Sequence, residues 1–185
     1  MRKLQTDAVN LTLIHWPAPK IGVSIAEVMH ALLEAKQQGL TEHIGISNFN
    51  IELTQQAIDS IGLEHIATNQ IELSPYLQNH HLVDFLQVQN IDVTSYMTLA
   101  YGKVLNDPVL LDIAAQHQAS TAQIALAWAM QQGFAVIPSS TKREHLIANL
   151  QAQQIQLTKD EMANIAQLDR NAREISPEQL APLWD

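Results

Sequence analysis

The chain has 185 residues, enough for one well-cored domain, and no shift in composition divides it. With 46% hydrophobic and 16% charged residues it reads as an ordinary globular protein, and the lack of cysteine excludes disulfides and thiolate metal sites. Ten Lys and Arg against 19 Asp and Glu leave a net charge of −9, which argues against non-specific binding to nucleic acid or an anionic membrane, so an anionic ligand needs a local basic site.

The start, Met-Arg-Lys-Leu-Gln-Thr-Asp, holds no uninterrupted apolar run before Asp7, so no secretory signal is expected, and no stretch has the length of a membrane span. A cytoplasmic location follows as the expectation. Ala8–His15 is a β-rich run that ends in His15-Trp16-Pro17. After a loop with proline and glycine, Ser24-Ile-Ala-Glu27 predicts a capping box, and Ile25, Val28, Met29, Leu32 and Leu33 recur at the spacing of a core-facing helix stripe. Gly39 is placed to end that helix. His43–Ser47 is a short predicted strand; Asn50 caps a helix whose apolar face carries Leu53, Ala57, Ile58 and Ile61. Ile66–Leu73 is the third strand, 79–89 a helix, and Ile91–Met97 the fourth strand.

Asp107-Pro108 is a cap followed by proline at the first helical position. Ser120-Thr-Ala-Gln123 opens another helix, which runs to Gly133, and Phe134–Pro138 is the fifth strand. Thr141-Lys-Arg-Glu144 and Thr158-Lys-Asp-Glu161 predict two further capping boxes. The tail from Arg173 reads as a loop packed on the body. Short apolar strands alternating with amphipathic helices predict a parallel sheet buried on both faces, either doubly wound or closed as a barrel. No G-x-G-x-x-G or phosphate-loop run is present, which tilts the choice towards the barrel.

Several residues stand where chemistry is done in such a sheet. His15 ends a buried strand, where an imidazole can donate a hydrogen bond to an oxygen that gains charge. A lone strand histidine is otherwise a structural one. Trp16 either lines a pocket or plugs the sheet end. Ser47 and Asn48 follow a strand and fit turn chemistry as well as ligand binding. Ser139, Ser140, Thr141, Lys142 and Arg143 place hydroxyls, two cations and free helix amides together, an anion site if not merely a cap. His80 and His81 are adjacent and point apart on a helix, so no metal is expected.

Leu13-Ile-His15-Trp16-Pro17, Gly45-Ile-Ser47-Asn48-Phe49, Asn69-Gln70-Ile71-Glu72 and Val136-Ile-Pro138-Ser-Ser140 occur in an order that resembles the aldo-keto reductases, and nearly the whole chain takes part. Residues 69–78 (NQIELSPYLQ) and 94–102 (TSYMTLAYG) look most like the bacterial diketogluconate reductases. The resemblance implies an α/β fold of the (β/α)8 TIM-barrel family and NADPH-dependent reduction of aldehydes, ketones or keto sugars. It makes residues 1–185 a single domain, the C-terminal portion of that barrel. Only about five β/α units are predicted where such a barrel takes about 250 residues, so an incomplete barrel without the first strands is implied.

By the same resemblance His15 is catalytic and Trp16 faces substrate. Ser47, Asn48 and Gln70 hold the nicotinamide carboxamide, Tyr96 stacks on its ring, and Thr98 and Leu99 pass beside the pyrophosphate. Ser139, Ser140, Thr141, Lys142 and Arg143 bind phosphate, His145 stands where the family has an arginine on the ribose phosphate, and Asn149 contacts adenine. The family's catalytic Tyr, Lys and Asp precede the His15 motif and have no match here; Tyr76, Tyr96 and Tyr101 lie downstream of it. Three readings stay open: a carbonyl reductase chain acting on a small-molecule carbonyl, a non-catalytic protein retaining nucleotide binding, and an unrelated barrel enzyme using His15 as acid or base. The ordered motifs and the lack of paired carboxylates at strand ends speak against the third. Five strands also leave edges at both ends of the sheet, which predicts self-association.

Overall fold

The computed structural model describes residues 3–17 and 22–185. The loop expected after Trp16 falls partly on residues 18–21, outside the described residues. Five strands, β1 (Val9–Ile14), β2 (Thr41–Ser47), β3 (Ile66–Glu72), β4 (Asp92–Tyr96) and β5 (Ala135–Val136), form a sheet in the order β1-β2-β3-β4-β5. The registers of β1 with β2, β2 with β3 and β4 with β5 are parallel. The helices are α1 (Ile25–Gln37), α2 (Ile51–Ile61), α3 (His80–Val88), α4 (Pro108–Gln116), α5 (Thr121–Gln131), α6 (Arg143–Gln151) and α7 (Lys159–Ala166).

The chain divides into two compact units: one of Met1–Ile71, His80–Val93 and Ser176–Asp185, the other of Glu72–Asn79 and Thr94–Ile175. In the first, the fully buried Ile44 and Ile46 of β2 form the centre of the core, joined by Met29 of α1 and Ala57 of α2. Ser24 forms the full capping box with Glu27, and Asn50 caps α2 by accepting the Leu53 amide. The buried face of α2 is Thr54, Ala57 and Ile61, so Thr54 takes the central place expected of the half-buried Leu53; its hydroxyl is satisfied by Asn50 O at 2.7 Å.

In the second unit, α5 carries the core, with Ile124, Leu126 and Trp128 all buried. Asp107 caps α4 with proline at the first position, and Ser120 and Thr158 form full capping boxes. The box expected at Thr141-Lys-Arg-Glu144 does not form. Instead α6 starts at Arg143 with Lys142 as its cap residue and no side-chain cap bond, because Ser140 Oγ accepts the Lys142 amide at 3.1 Å and bends the chain first. Likewise β5 is two residues long where five were predicted. Gly133, at φ 87°, precedes it, and Pro138, without an amide hydrogen, follows it.

Candidate functional site

In the first unit three consecutive strands end together, and the predicted residues stand at those ends. His15 follows β1 directly and is exposed; its ring centroid lies 6.2 Å from that of Trp16, tilted by 54°. Trp16 in turn meets Trp184 edge to face at 6.3 Å. Asn48 follows β2 with φ 64°, a left-handed conformation that asparagine tolerates better than most side chains. Its Nδ2 donates to His15 O at 2.9 Å and to Ser47 Oγ at 3.1 Å. Ser47 Oγ donates to Gln70 O at 2.8 Å, and the Asn48 amide donates to the same oxygen at 3.0 Å. Ser47 and Asn48 are each only 1% exposed, whereas Gln70 is half-buried. These bonds tie the ends of β1, β2 and β3 into one rim.

Gly45 lets β2 approach its neighbours closely just before this rim. A Cβ there would lie 2.6 Å from Thr68 O and 2.9 Å from Leu13 Cδ2. At the same place the register with β3 shifts, between Ile44↔Ile66 and Ile46↔Asn69. Asn69, which the sequence reading left without a role, is fully buried and donates to Phe49 O at 2.9 Å, holding the turn after Asn48 from the other side. Its Oδ1 has no hydrogen-bond partner among the described residues. An asparagine inside an apolar strand is the one signal that pointed to it.

The second unit holds the remaining predicted residues in two groups, with Asn149 apart from both. Tyr96 ends β4, half-buried; burial pushes its phenol well above the usual tyrosine range, the nearby Glu72 charge adds to this and Arg173 opposes it. It therefore stays protonated throughout the neutral range. Thr98 is buried and shares a 2.6 Å hydrogen bond with Ser95, and Leu99 is half-buried where the chain enters a 3₁₀ segment, Ala100–Asn106. Tyr76 is buried: its hydroxyl donates to Asp107 at 2.7 Å, and the Arg170 guanidinium sits 3.8 Å from its ring centre.

The other group lies at the start of α6. Ser139, Thr141, Lys142, Arg143 and His145 are exposed, and Ser140 is half-buried. Ser140 Oγ meets His145 Nδ1 at 3.4 Å as well as the Lys142 amide. No side chain caps α6, whose first turn thus begins without a side-chain acceptor beside Lys142 and Arg143. Asn149 lies apart from that group, in an apolar groove of about 440 Å³ with Met130, Val136, Leu146 and Leu150.

The sequence reading also left Glu72 without a role. It is buried, and burial raises its carboxyl pKa above the usual value although the Glu174 and Ile175 amides bind it. An acidic residue closing an apolar strand was the available signal. Among the described residues, no three His, Cys, Asp or Glu side chains gather as metal ligands would, and no helix is long and apolar enough to cross a membrane.

The sequence signature of the aldo/keto reductase family matches residues 1–170. Methylglyoxal reductase DkgB of Escherichia coli O157:H7 is 60% identical over 185 residues, which is all of this chain and 69% of that protein; its Salmonella typhi counterpart is 58% identical over the same span. A crystal structure described as a 2,5-diketo-D-gluconic acid reductase B superposes with a TM-score of 0.94 at 40% identity, covering all of this chain and 65% of that one. A Gox0644 variant crystallised with NADPH superposes at 0.90 with 35% identity, over 96% of this chain and 65% of that one. The five-stranded parallel sheet with its alternating helices is thus part of a TIM-barrel architecture, and the chain belongs to the aldo/keto reductase family.

Proposed function

We propose that this chain binds NADPH and orients a small carbonyl compound for its reduction, in the cytoplasm, as part of a reductase. The observation that carries the reading is the hydrogen-bonded rim of the first unit, where Asn48 Nδ2 joins His15 O to Ser47 Oγ and Ser47 joins Gln70 O. Strand C-termini are where barrels of this kind present their chemistry. The exposed His15 ring donates a hydrogen bond to the substrate carbonyl oxygen and stabilises charge developing there. Trp16 and Trp184, edge to face, form an aromatic wall beside it.

The polar groups present fit a nicotinamide nucleotide. Ser47, Asn48 and Gln70 supply donors and acceptors suited to a carboxamide, Tyr96 an aromatic face, and Thr98 and Leu99 the loop beside the phosphates. Ser139, Ser140, Thr141, Lys142 and Arg143 supply an anion site, with His145 in place of an arginine and Asn149 on the adenine side. When bound, the cofactor supplies the hydride. The names of the relatives point to small polar carbonyls, methylglyoxal or a diketogluconate, as the substrate class.

A second reading, nucleotide binding without turnover, is favoured by a specific observation. The Tyr76 hydroxyl is engaged by Asp107, the Tyr96 phenol is pushed up by burial, and neither matches the family's proton-donating tyrosine. One experiment separates the two. Tryptophan fluorescence titrated with NADPH should show saturable binding that weakens about threefold to tenfold in a Lys142→Ala, Arg143→Ala variant. With His145 in place, NADPH and NADH should differ little. NADPH absorbance with methylglyoxal then compares turnover by these 185 residues with about 1 per second, a rate far below which favours the second reading. Turnover at that rate would establish the reductase reading and overturn the second; no binding of either nucleotide would overturn both.

A further inference from the structure

The segment after β4 is held in a conformation that its own residues resist. Met97, Ala100, Tyr101 and Gly102 have φ of 56°, 44°, 54° and 85°, three of them consecutive, and only the last is glycine. Left-handed backbone at non-glycine residues is disfavoured and persists where surroundings impose it. Local bonds account for part of this: Ala100 N donates to Met97 O and Gly102 N to Leu99 O, each at 2.7 Å, and Ser95, bonded to Leu73 O, holds Thr98. Tyr101, at 70% exposed, contributes no packing that would fix it.

The far end of the segment is fixed from a distance. Lys103 Nζ lies 2.7 Å from both carboxylate oxygens of Glu174. Glu174 belongs to a strap after α7 that is pinned along residues 72–79. Tyr76 O accepts the amides of Arg170 and Ala172 at 3.1 and 3.0 Å, and Arg173 donates to Asn79 Oδ1 at 2.9 Å. The last pin is Glu72, only 1% exposed, whose two oxygens accept the Glu174 and Ile175 amides at 2.7 and 2.9 Å. Asn79 returns to the Glu72 carbonyl at 2.6 Å. A continuous chain therefore runs from the end of β3 through Glu72 and the strap to Lys103.

We propose that Lys103 and Glu174 are a latch, anchored by Glu72, that holds the Met97–Lys103 loop in its strained form and thereby slows release of the nucleotide. The second half rests on the functional reading above, in which Thr98 and Leu99 lie beside the phosphates. Lys103 and Glu174 are positioning residues. The Lys103 side chain is 59% exposed and that of Glu174 15%, so screening by salt acts on the pair directly and its opening is a modest step.

Amide hydrogen exchange on the full chain without nucleotide tests the latch by itself. Lys103→Met and Glu174→Gln should each raise exchange at Ala100 and Gly102 about twofold to fivefold with the melting temperature little changed. Raising the salt concentration on the unmodified chain should do the same without any substitution. The charge swap Lys103→Glu with Glu174→Lys should recover part of the protection. Unchanged exchange in both single variants and in salt would overturn the latch. Stopped-flow displacement of NADPH then tests the consequence: the single variants should release it about twofold to fivefold faster. Faster exchange with an unchanged release rate would confine the latch to the loop and overturn its link to nucleotide. A chain that binds no NADPH would also remove that link, through failure of the functional reading, while the exchange result stands.

Discussion

At the scale of single residues, Gly45 decides whether the rim can form. The obstacle to any side chain there is the Thr68 carbonyl, 2.6 Å from an added Cβ, and a strand backbone cannot yield as a flexible side chain would. Gly45→Ala should therefore destabilise the chain by about 1–3 kcal/mol, the usual range for an overpacked methyl, and displace Ser47 and Asn48 two and three residues on. Urea denaturation measures the first effect, and fluorescence titration with NADPH the second. A variant within about 0.5 kcal/mol of the parent would show that β2 and β3 can separate at their bulge without loss. Asn48 makes the complementary contribution: its left-handed φ lets the chain turn, and its amide then reaches across to His15 O.

At the scale of elements, the cap of α7 links stability to pH. Burial alone would raise the Glu161 carboxyl pKa, but the Thr158 amide, the Thr158 hydroxyl and His117 all bind it and hold it below the ordinary glutamate value. Folding thus favours the ionised form, so its contribution is present at neutral pH and is lost as pH falls below the ordinary value through the folded one. Glu161→Gln should lose about 1 kcal/mol at pH 7 and show a shallower acid-side decline than the parent, read from urea midpoints between neutral pH and pH 4. Equal slopes would mean that the bond to His117 and the cap carry no charge dependence. Glu72 acts with the opposite sign, since burial raises its pKa and its ionisation is disfavoured in the fold. Caps of this kind were legible in the sequence because each is a pattern four residues long: Ser24 and Thr158 form the predicted box, and Ser120, read only as the start of a helix, forms one too. Thr141 has the same pattern and fails because α6 starts one residue later than that box requires, with Lys142 as its cap, after Ser140 Oγ accepts the Lys142 amide. The rim residues were legible too, through strand ends and the ordered motifs. The latch was not, because Lys103 meets Glu174 across 71 residues and Glu72 meets it across 102, distances at which no local periodicity carries information.

At the scale of the whole molecule, the sheet begins at β1 and ends at β5, so among the described residues each of these strands has one strand neighbour and one unpaired edge. Apolar side chains are exposed near both ends: Leu11 on β1, Ile137 just after β5, and Leu146, Ile147 and Leu150 on α6, which buries none of its residues. Unpaired edges flanked by apolar surface favour association between copies. The net charge of −9 opposes it by repulsion over roughly 10 Å at 0.1 M salt, and added salt shortens that reach. The two effects make a joint prediction. Sedimentation velocity should show species heavier than the 20.6 kDa chain that increase with protein concentration and increase again when salt is raised. A Leu146→Glu, Leu150→Glu variant, which adds charge on the exposed face of α6, should return the distribution towards the single chain. A single species of that mass at every concentration and salt level would mean that the exposed edges and the apolar face of α6 do not drive contact between copies, and that charge alone is enough to keep them apart.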